Sequence, residues 1–368
     1  MHKVFLKTIF FASALFMLPL SAWAAPSILG VSGAVSNGQT INVAGNGFGT
    51  KSPVAPILWA PLDSSQNPSS LGRITSWSAM ECFTYNSTNG YHGSNTGTIT
   101  TSKNYPTCHD GAGSGSSPLV LEVNPYNSLG VQLNALGARF YTYRKRFPVD
   151  KGTNVKSIEF IGADYSTDIS IIFNSSTDQW VTQNPSGAYF YTSGGELLNS
   201  WNTEELVAQV GASGGAPAAT FDWWENGVLD GWMGKGGATI SLNGGADVVT
   251  RADVAYHGDF TGPTITMKDD FFNDIYLDNT WARVMICSGS IWSNRGNCEI
   301  QIPTGTNTWN PTQLQIQVNQ GAFSNSANAY LYVVDAAGAV NPNGYQITFN
   351  AGVPDTTPPS APSGLSVQ

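Results

Sequence analysis

Gln313-Leu314-Gln315-Ile316-Gln317-Val318 alternates polar and apolar residues without a break. Period-two alternation is the signature of a strand with one buried face. Lys156–Ile161, Asp168–Phe173 and Tyr330–Val334 are equally short and rich in Ile, Val, Phe and Tyr, and clusters of Gly, Asn, Ser and Pro separate them. That spacing predicts an all-β protein. At Glu196–Val210, Thr203-Glu204-Glu205-Leu206 resembles a helix start, so a helix stays open there.

The strand-like run Thr40-Ile41-Asn42-Val43-Ala44 enters the loop Gly45-Asn46-Gly47-Phe48-Gly49-Thr50-Lys51-Ser52. A dinucleotide fingerprint needs glycine where Thr50 stands, and a Walker loop needs glycine directly before Lys51. Pro53 and Pro56 forbid the helix that would receive a phosphate. The loop instead reads as a turn in which Gly45, Gly47 and Gly49 supply positive φ and Phe48 enters the core.

Residues 1–24 read as a secretory signal, with Lys3 and Lys7 before an apolar Thr8–Leu20 and Ala22-Trp23-Ala24 at the cleavage site. The mature chain carries 14 basic against 25 acidic residues, a balance of −11, which speaks against nucleic acid and anionic membrane as partners. No later run is apolar enough for membrane insertion. Charged residues are only 11% of the chain, and polarity comes from Asn, Ser, Thr and Gln, the habit of exported, turn-rich β-proteins. An even set of cysteines, Cys82, Cys108, Cys287 and Cys298, suits an oxidising compartment. Of three possible pairings, the neighbours are favoured, Cys82 with Cys108 and Cys287 with Cys298, each closing a loop rich in Gly, Asn and Ser.

Pro26–Val31 followed by Gly38-Gln39-Thr40-Ile41-Asn42-Val43-Ala44-Gly45-Asn46-Gly47-Phe48-Gly49 resembles the first strands of IPT/TIG domains, which are immunoglobulin-like. Trp281–Cys287, Glu299–Pro303, Trp309–Thr312, Gln313–Val318 and Gly344–Phe349 look like the latter half of such a domain. Residues 25–59 and 281–352 together amount to 107, one sandwich's worth, so the resemblance implies a split domain interrupted by an insertion over 60–280. Within the insertion, Phe221-Asp222-Trp223-Trp224-Glu225-Asn226-Gly227, Asp230-Gly231-Trp232 and Asp270–Asp278 resemble concanavalin A-like jelly rolls of lectins, laminarinase-type hydrolases and sandwich-fold polysaccharide lyases. Residues 353–368 look like the linker and first strand of a fibronectin type III domain.

Two constellations are candidates for chemistry. Sugar recognition needs flat aromatic faces with polar groups beside them. Asp222, Trp223, Trp224, Glu225 and Trp232 supply both, with Trp223 and Glu225 on one strand face and Asp222 and Trp224 on the other. The second lies in Arg139–Arg146, which holds four of the 14 mature basic residues and places Tyr141, Tyr143 and Lys145 on one face, with Arg144 between them. Lyases of the sandwich fold use tyrosine beside a basic residue that neutralises a uronate, so the resemblance implies an acidic-polysaccharide site there. No E-x-D-x-x-E stretch is present to carry hydrolase carboxylates.

Asp269, Asp270, Asp274 and Asp278 are candidates for a structural calcium, and no other cofactor is implied. The expectation is a bacterial exported or cell-surface protein that binds a polysaccharide or cell-surface glycan. A polysaccharide lyase or glycoside hydrolase, and a structural spacer, are the alternatives.

Overall fold

The computed structural model describes residues 25–61, 68–75, 98–100, 107–109, 121–133, 137–148, 155–162, 167–174, 177–182, 188–191, 197, 200–209, 220–232, 249–255, 257–258 and 270–349. The signal segment, Cys82 and residues 353–368 lie outside them. Nearly all regular structure is antiparallel strand, arranged chiefly in three sheets, so the chain is all-β. The described helices are the five-residue turn Pro125–Leu129 and a single 3-10 turn, Trp292–Asn294. None is long and apolar enough to cross a membrane.

The first sheet joins the two ends of the chain. Its order is Ser27–Ser32, Thr40–Asn46, Gln313–Gln317, Cys298–Pro303, Arg283–Cys287, Asn328–Val334 and Tyr345–Thr348. Ile41 lies opposite Ile316 and Val43 opposite Leu314, so alternating apolar side chains from distant parts of the sequence meet on one face. With Val284, Ile286, Leu331 and Val333 they form a core in which Phe48 is fully buried. The Trp309 indole donates to the Phe48 carbonyl at 3.0 Å, fixing the glycine loop on that core.

Gly47 and Gly49 adopt φ of 74° and 66°, as the turn requires. Gly45 is needed for a different reason: its Cβ would stand 2.3 Å from the Phe48 ring, so space rather than φ demands glycine there. Lys51 faces a carboxylate instead of an anion site. Its ammonium is buried 2.8 Å from Asp278 Oδ2, and burial pulls its pKa below the ordinary lysine value although Asp278 opposes that shift.

The middle sheet runs Val228–Trp232, Thr220–Glu225, Asn202–Gln209, Arg139–Pro148, Asp270–Asp278 and Leu58–Ala60. The outer sheet runs Ala188–Tyr191, Thr177–Thr182, Thr167–Asn174, Val155–Gly162, Val249–Ala255 and Leu121–Val123, with His257–Gly258 also on Val155–Gly162. Phe140 of the middle sheet meets Phe160 of the outer sheet at 4.6 Å between ring centroids, so these two layers form a sandwich.

The middle sheet's opposite face packs on the end-joining sheet. Trp59, Tyr141, Tyr143 and Tyr276 meet Met285, Cys287, Ile300, Ile302 and Tyr332 there. One layer thus has both faces covered, an arrangement that a strand reading of alternating polarity does not anticipate.

The segment left open as a helix is the strand Asn202–Gln209 at the centre of that layer. Glu204 and Glu205 read as helix-start acids, but each is ion-paired on an opposite face of the sheet, Glu204 with Arg144 and Glu205 with Arg295. Tertiary pairing overrides the local signal. Cys287 and Cys298 lie opposite each other on adjacent strands and are joined in a disulfide, one of the two neighbour pairings expected. The Cys82–Cys108 pairing falls outside the described residues because Cys82 does.

Candidate functional site

Burial places the two predicted constellations in layers rather than on open surface. Pairing of Glu205 with Trp224 and of Leu206 with Trp223 turns the two indoles to opposite faces of the middle sheet. Trp223 is fully buried and Glu225 nearly so, while Asp222 and Trp224 are half-buried on the face toward the end-joining sheet. Burial raises the Asp222 carboxyl, against a pull from Arg283.

Trp224 is a platform for a cation of the same chain. The Arg295 guanidinium lies 4.0 Å from the ring centroids of both Trp224 and Trp292 and reaches Glu205 Oε1 at 2.6 Å. Nε and Nη1 of Arg295 find no hydrogen-bond partner among the described residues, and the two indole faces stand in for one. Trp232 lies on the edge strand beside Asp222.

The basic stretch divides between faces in the same way. Arg144 and Arg146 are buried with Glu204 on the sandwich side. Tyr141 donates to Glu205 Oε2 at 2.8 Å, and Tyr143 donates to the Cys298 carbonyl at 2.8 Å. Both phenols are fully buried, and burial first, then nearby carboxylates, holds their pKa well above the ordinary tyrosine value. Sealed and protonated, neither phenol meets a substrate, which corrects the expectation that this face binds a uronate through Tyr141 and Tyr143.

Lys145, the last residue of that face, does reach a cavity. A cleft of about 800 Å³ opens where the middle sheet and the end-joining sheet part company. From the middle sheet and the segments beside it come Trp59, Lys145, Trp201, Thr203, Asn226 and Asp274. From the other wall come Asn297, Glu299, Ile302 and the run Gln317–Ala322, with Asn37 at the rim. Trp201, 38% exposed, precedes the central strand, and Trp59 sits deeper.

Local hydrogen bonds set these walls. Asn202, fully buried, bonds Leu197 through both its amide ends at 2.9 Å and takes a third bond from Asn226, which itself accepts from the Thr203 amide at 3.0 Å. That network fixes the chain at Trp201 and the tight turn Asn226-Gly227, where φ is 50° and 76°. On the opposite wall Gln301 exchanges two 2.9 Å bonds with the Asn319 backbone. Gly321 lies so close to Glu299 that its Cβ would stand 2.0 Å from the carboxylate carbon.

The floor is ionic. Lys145 Nζ lies 2.5 Å from Glu299 Oε2 and 3.1 Å from Asp274 Oδ2, and Glu299 Oε1 accepts from the Ala322 amide at 2.8 Å. Burial pulls the lysine's pKa down, but Glu299 and Asp274 outweigh it and hold it above the ordinary value. Burial raises Glu299, with Lys145 opposing.

Of the four acids considered for calcium, Asp274 and Asp278 are thus committed to lysines, Asp269 lies outside the described residues, and Asp270 is described by its strand pairing alone. Among the described residues no group of three His, Cys, Asp or Glu side chains is placed to hold a metal.

Trp201, Trp59 and the carboxamides of the cleft were missed as site residues. Trp201 stands alone in the sequence, and its amide neighbours are scattered over loops far apart along the chain. The available signal was the Gln317-Val318-Asn319-Gln320 run, which ends an alternating strand with half-buried amides.

No family model matches the chain, and no curated protein sequence matches it. Among solved structures, the botulinum neurotoxin serotype G binding domain aligns over 76% of this chain and 72% of its own length, at 11% identity and a TM-score of 0.38. The botulinum neurotoxin serotype D ligand binding domain, solved in complex with N-acetylneuraminic acid, aligns over 76% and 71% at 8% identity and 0.37. A galectin of Caenorhabditis elegans aligns over 43% of this chain and 90% of its own length, at 10% identity and 0.28. None of these likenesses is close enough to carry an argument about topology or ligand, so function rests on the cleft itself.

Proposed function

We propose that the chain is an exported carbohydrate-binding protein and that the cleft between its middle sheet and its end-joining sheet takes the glycan. The observation that carries this reading is the cleft's lining, in which two indoles and six carboxamides surround a buried ionic floor. Indole faces suit the apolar faces of pyranose rings, and carboxamides can donate to and accept from ring hydroxyls, although Asn226 and Gln320 already spend part of that capacity within the chain. Asn319 Nδ2 adds a buried donor without a hydrogen-bond partner among the described residues. Such a group costs about 1–3 kcal/mol if left unmatched, and a ligand oxygen in the cleft would satisfy it.

The test is affinity electrophoresis of the mature chain through gels cast with a panel of polysaccharides. The parent protein is retarded by at least one of them, and Trp201→Ala weakens that retention tenfold or more, about 1.4 kcal/mol, with its thermal unfolding unchanged. Free migration of the parent in every gel overturns the proposal and leaves a structural spacer. Cleared polysaccharide behind the band overturns it in favour of an enzyme.

A further inference from the structure

We infer that the cleft selects uncharged glycans and rejects acidic ones, with Asp274 as the specificity-determining residue; the inference rests on the glycan reading of the same cleft. Among the described residues Lys145 is the one basic side chain lining the cleft, and its ammonium already lies against two carboxylates. Counted formally, the floor sets two carboxylates against one ammonium. The other cations of the basic stretch are committed elsewhere, Arg144 and Arg146 to Glu204 on the far face. Among the described residues, this lining offers no second cation to neutralise a uronate, sialate or sulfate.

Asp274 is aimed into the cleft by backbone geometry. It occupies the left-handed region, φ 51°, at a bulge in the pairing of Asp270–Asp278 with Arg139–Pro148, where the register shifts between Asn273 and Tyr276. Bulges re-aim side chains, and non-glycine residues held in this region gather at functional sites because the surroundings must hold them there. The side chains of Asp274 and Lys145 each keep 9% of their surface exposed, against 4% for Glu299, so these two form the accessible part of the floor.

Lys145 pairs with Asp274 through Oδ2 and with Glu299 through Oε2, so two of its three N–H bonds are directed at carboxylates. The ammonium and the Asp274 carboxylate side by side place a donor and an acceptor where two neighbouring hydroxyls of a pyranose would meet them. A carboxylate in place of either hydroxyl would face Asp274 with like charge in a poorly solvated site.

The experiment is isothermal calorimetry of the mature chain with neutral glucan, galactan and mannan oligosaccharides, and with oligogalacturonate, alginate and hyaluronan oligomers, at low and high salt. The expected result is binding by a neutral oligomer and affinity about tenfold or more weaker for every acidic one at low salt, a gap that narrows as salt screens the repulsion. Asp274→Asn keeps the left-handed backbone accessible and narrows the gap further. An acidic oligomer that binds more tightly than the neutral ones overturns this inference and leaves the glycan reading standing. An unchanged gap in Asp274→Asn removes Asp274 as its cause. Failure of all six oligomers to bind overturns the glycan reading and the inference together.

Discussion

Replacing Arg295 by Met tests what holds the middle sheet to the end-joining sheet. Arg295 is fully buried, stacked between Trp224 and Trp292 at 4.0 Å from each ring and paired to Glu205 at 2.6 Å. Removing it leaves the Glu205 carboxylate, 1% exposed, with the Tyr141 hydroxyl still donating to it. An orphaned buried charge costs about 3–5 kcal/mol. Methionine keeps some sulfur–aromatic contact and so recovers part of the lost stacking. The expected net loss is about 4 kcal/mol, which at an m-value of about 2–3 kcal/mol/M lowers the urea midpoint by about 1.3–2 M. Tryptophan fluorescence follows the transition directly, because Trp224 and Trp292 flank the site. Glu205→Gln in the Arg295→Met background removes the stranded charge and returns at least half of the loss. A single variant that costs less than about 1 kcal/mol, or a double variant no more stable than the single, refutes the claim that this pair is a mutually dependent buried charge.

Gly227→Ala places a Cβ 1.8 Å from the Gly296 carbonyl oxygen at φ +76°, whereas Gly38→Ala, at φ +75°, meets nothing within 4 Å; thermal unfolding should show a loss of about 1 kcal/mol for the second and of about 2–4 kcal/mol for the first, and equal losses would mean that the turn does not press on the 288–297 loop. Tyr141, Tyr143 and Tyr276 are held by burial well above 10.0, and Lys145 is held above 10.5 by its carboxylates against the pull of burial, so stability from all four is full below those values and is lost as pH rises past them; phenolate absorbance should therefore show these tyrosines ionising in one cooperative step with unfolding, and gradual titration near pH 10 in a chain that stays folded would contradict the burial.

Much of the architecture was legible because it depends on local pattern. The alternation in Gln313–Val318 gives a strand, and the same alternation decides that Leu314 and Ile316 point into the core. Phe48 flanked by glycines reads as a core residue on a turn, and it is one. The site was harder because its determinants are relational. Lys145 was visible as part of a basic stretch, but its partners Asp274 and Glu299 come from separate strands, and only their convergence turns a supposed uronate anchor into an ion-paired floor with acid in excess. Trp224 beside Glu225 looked like a sugar platform; the sequence does not reveal that Arg295, more than 70 residues later, occupies it. Glu204-Glu205 misled for the same reason, since a pair of acids marks a helix start only when no buried arginine awaits each of them.

The ions between the two layers also account for why a cleft can be held open beside them. Buried pairs contribute little net stability against apolar replacements, but each is satisfied in one placement of its partners only. A slip of the end-joining sheet over the middle sheet by a single residue would strand Arg295 from Glu205 and Lys145 from Glu299, at a cost of several kcal/mol for each charge. The register of docking is therefore strongly specified, which apolar contacts such as Met285 and Ile302 against Tyr143 and Trp59 do not achieve by themselves. The cleft inherits that precision, since Trp201, Asn226 and Asp274 belong to one layer and Asn297, Glu299 and Asn319 to the other. On the proposed reading, a glycan that bonds both walls would find them already spaced, so the ordering cost that weakens binding to mobile surfaces would be met during folding instead. The same linkage would run in reverse: a ligand contacting both walls would stabilise their docking by RT ln(1 + [L]/Kd), so a saturating ligand of the cleft is expected to offset the Arg295→Met defect although Arg295 lines no part of the cleft.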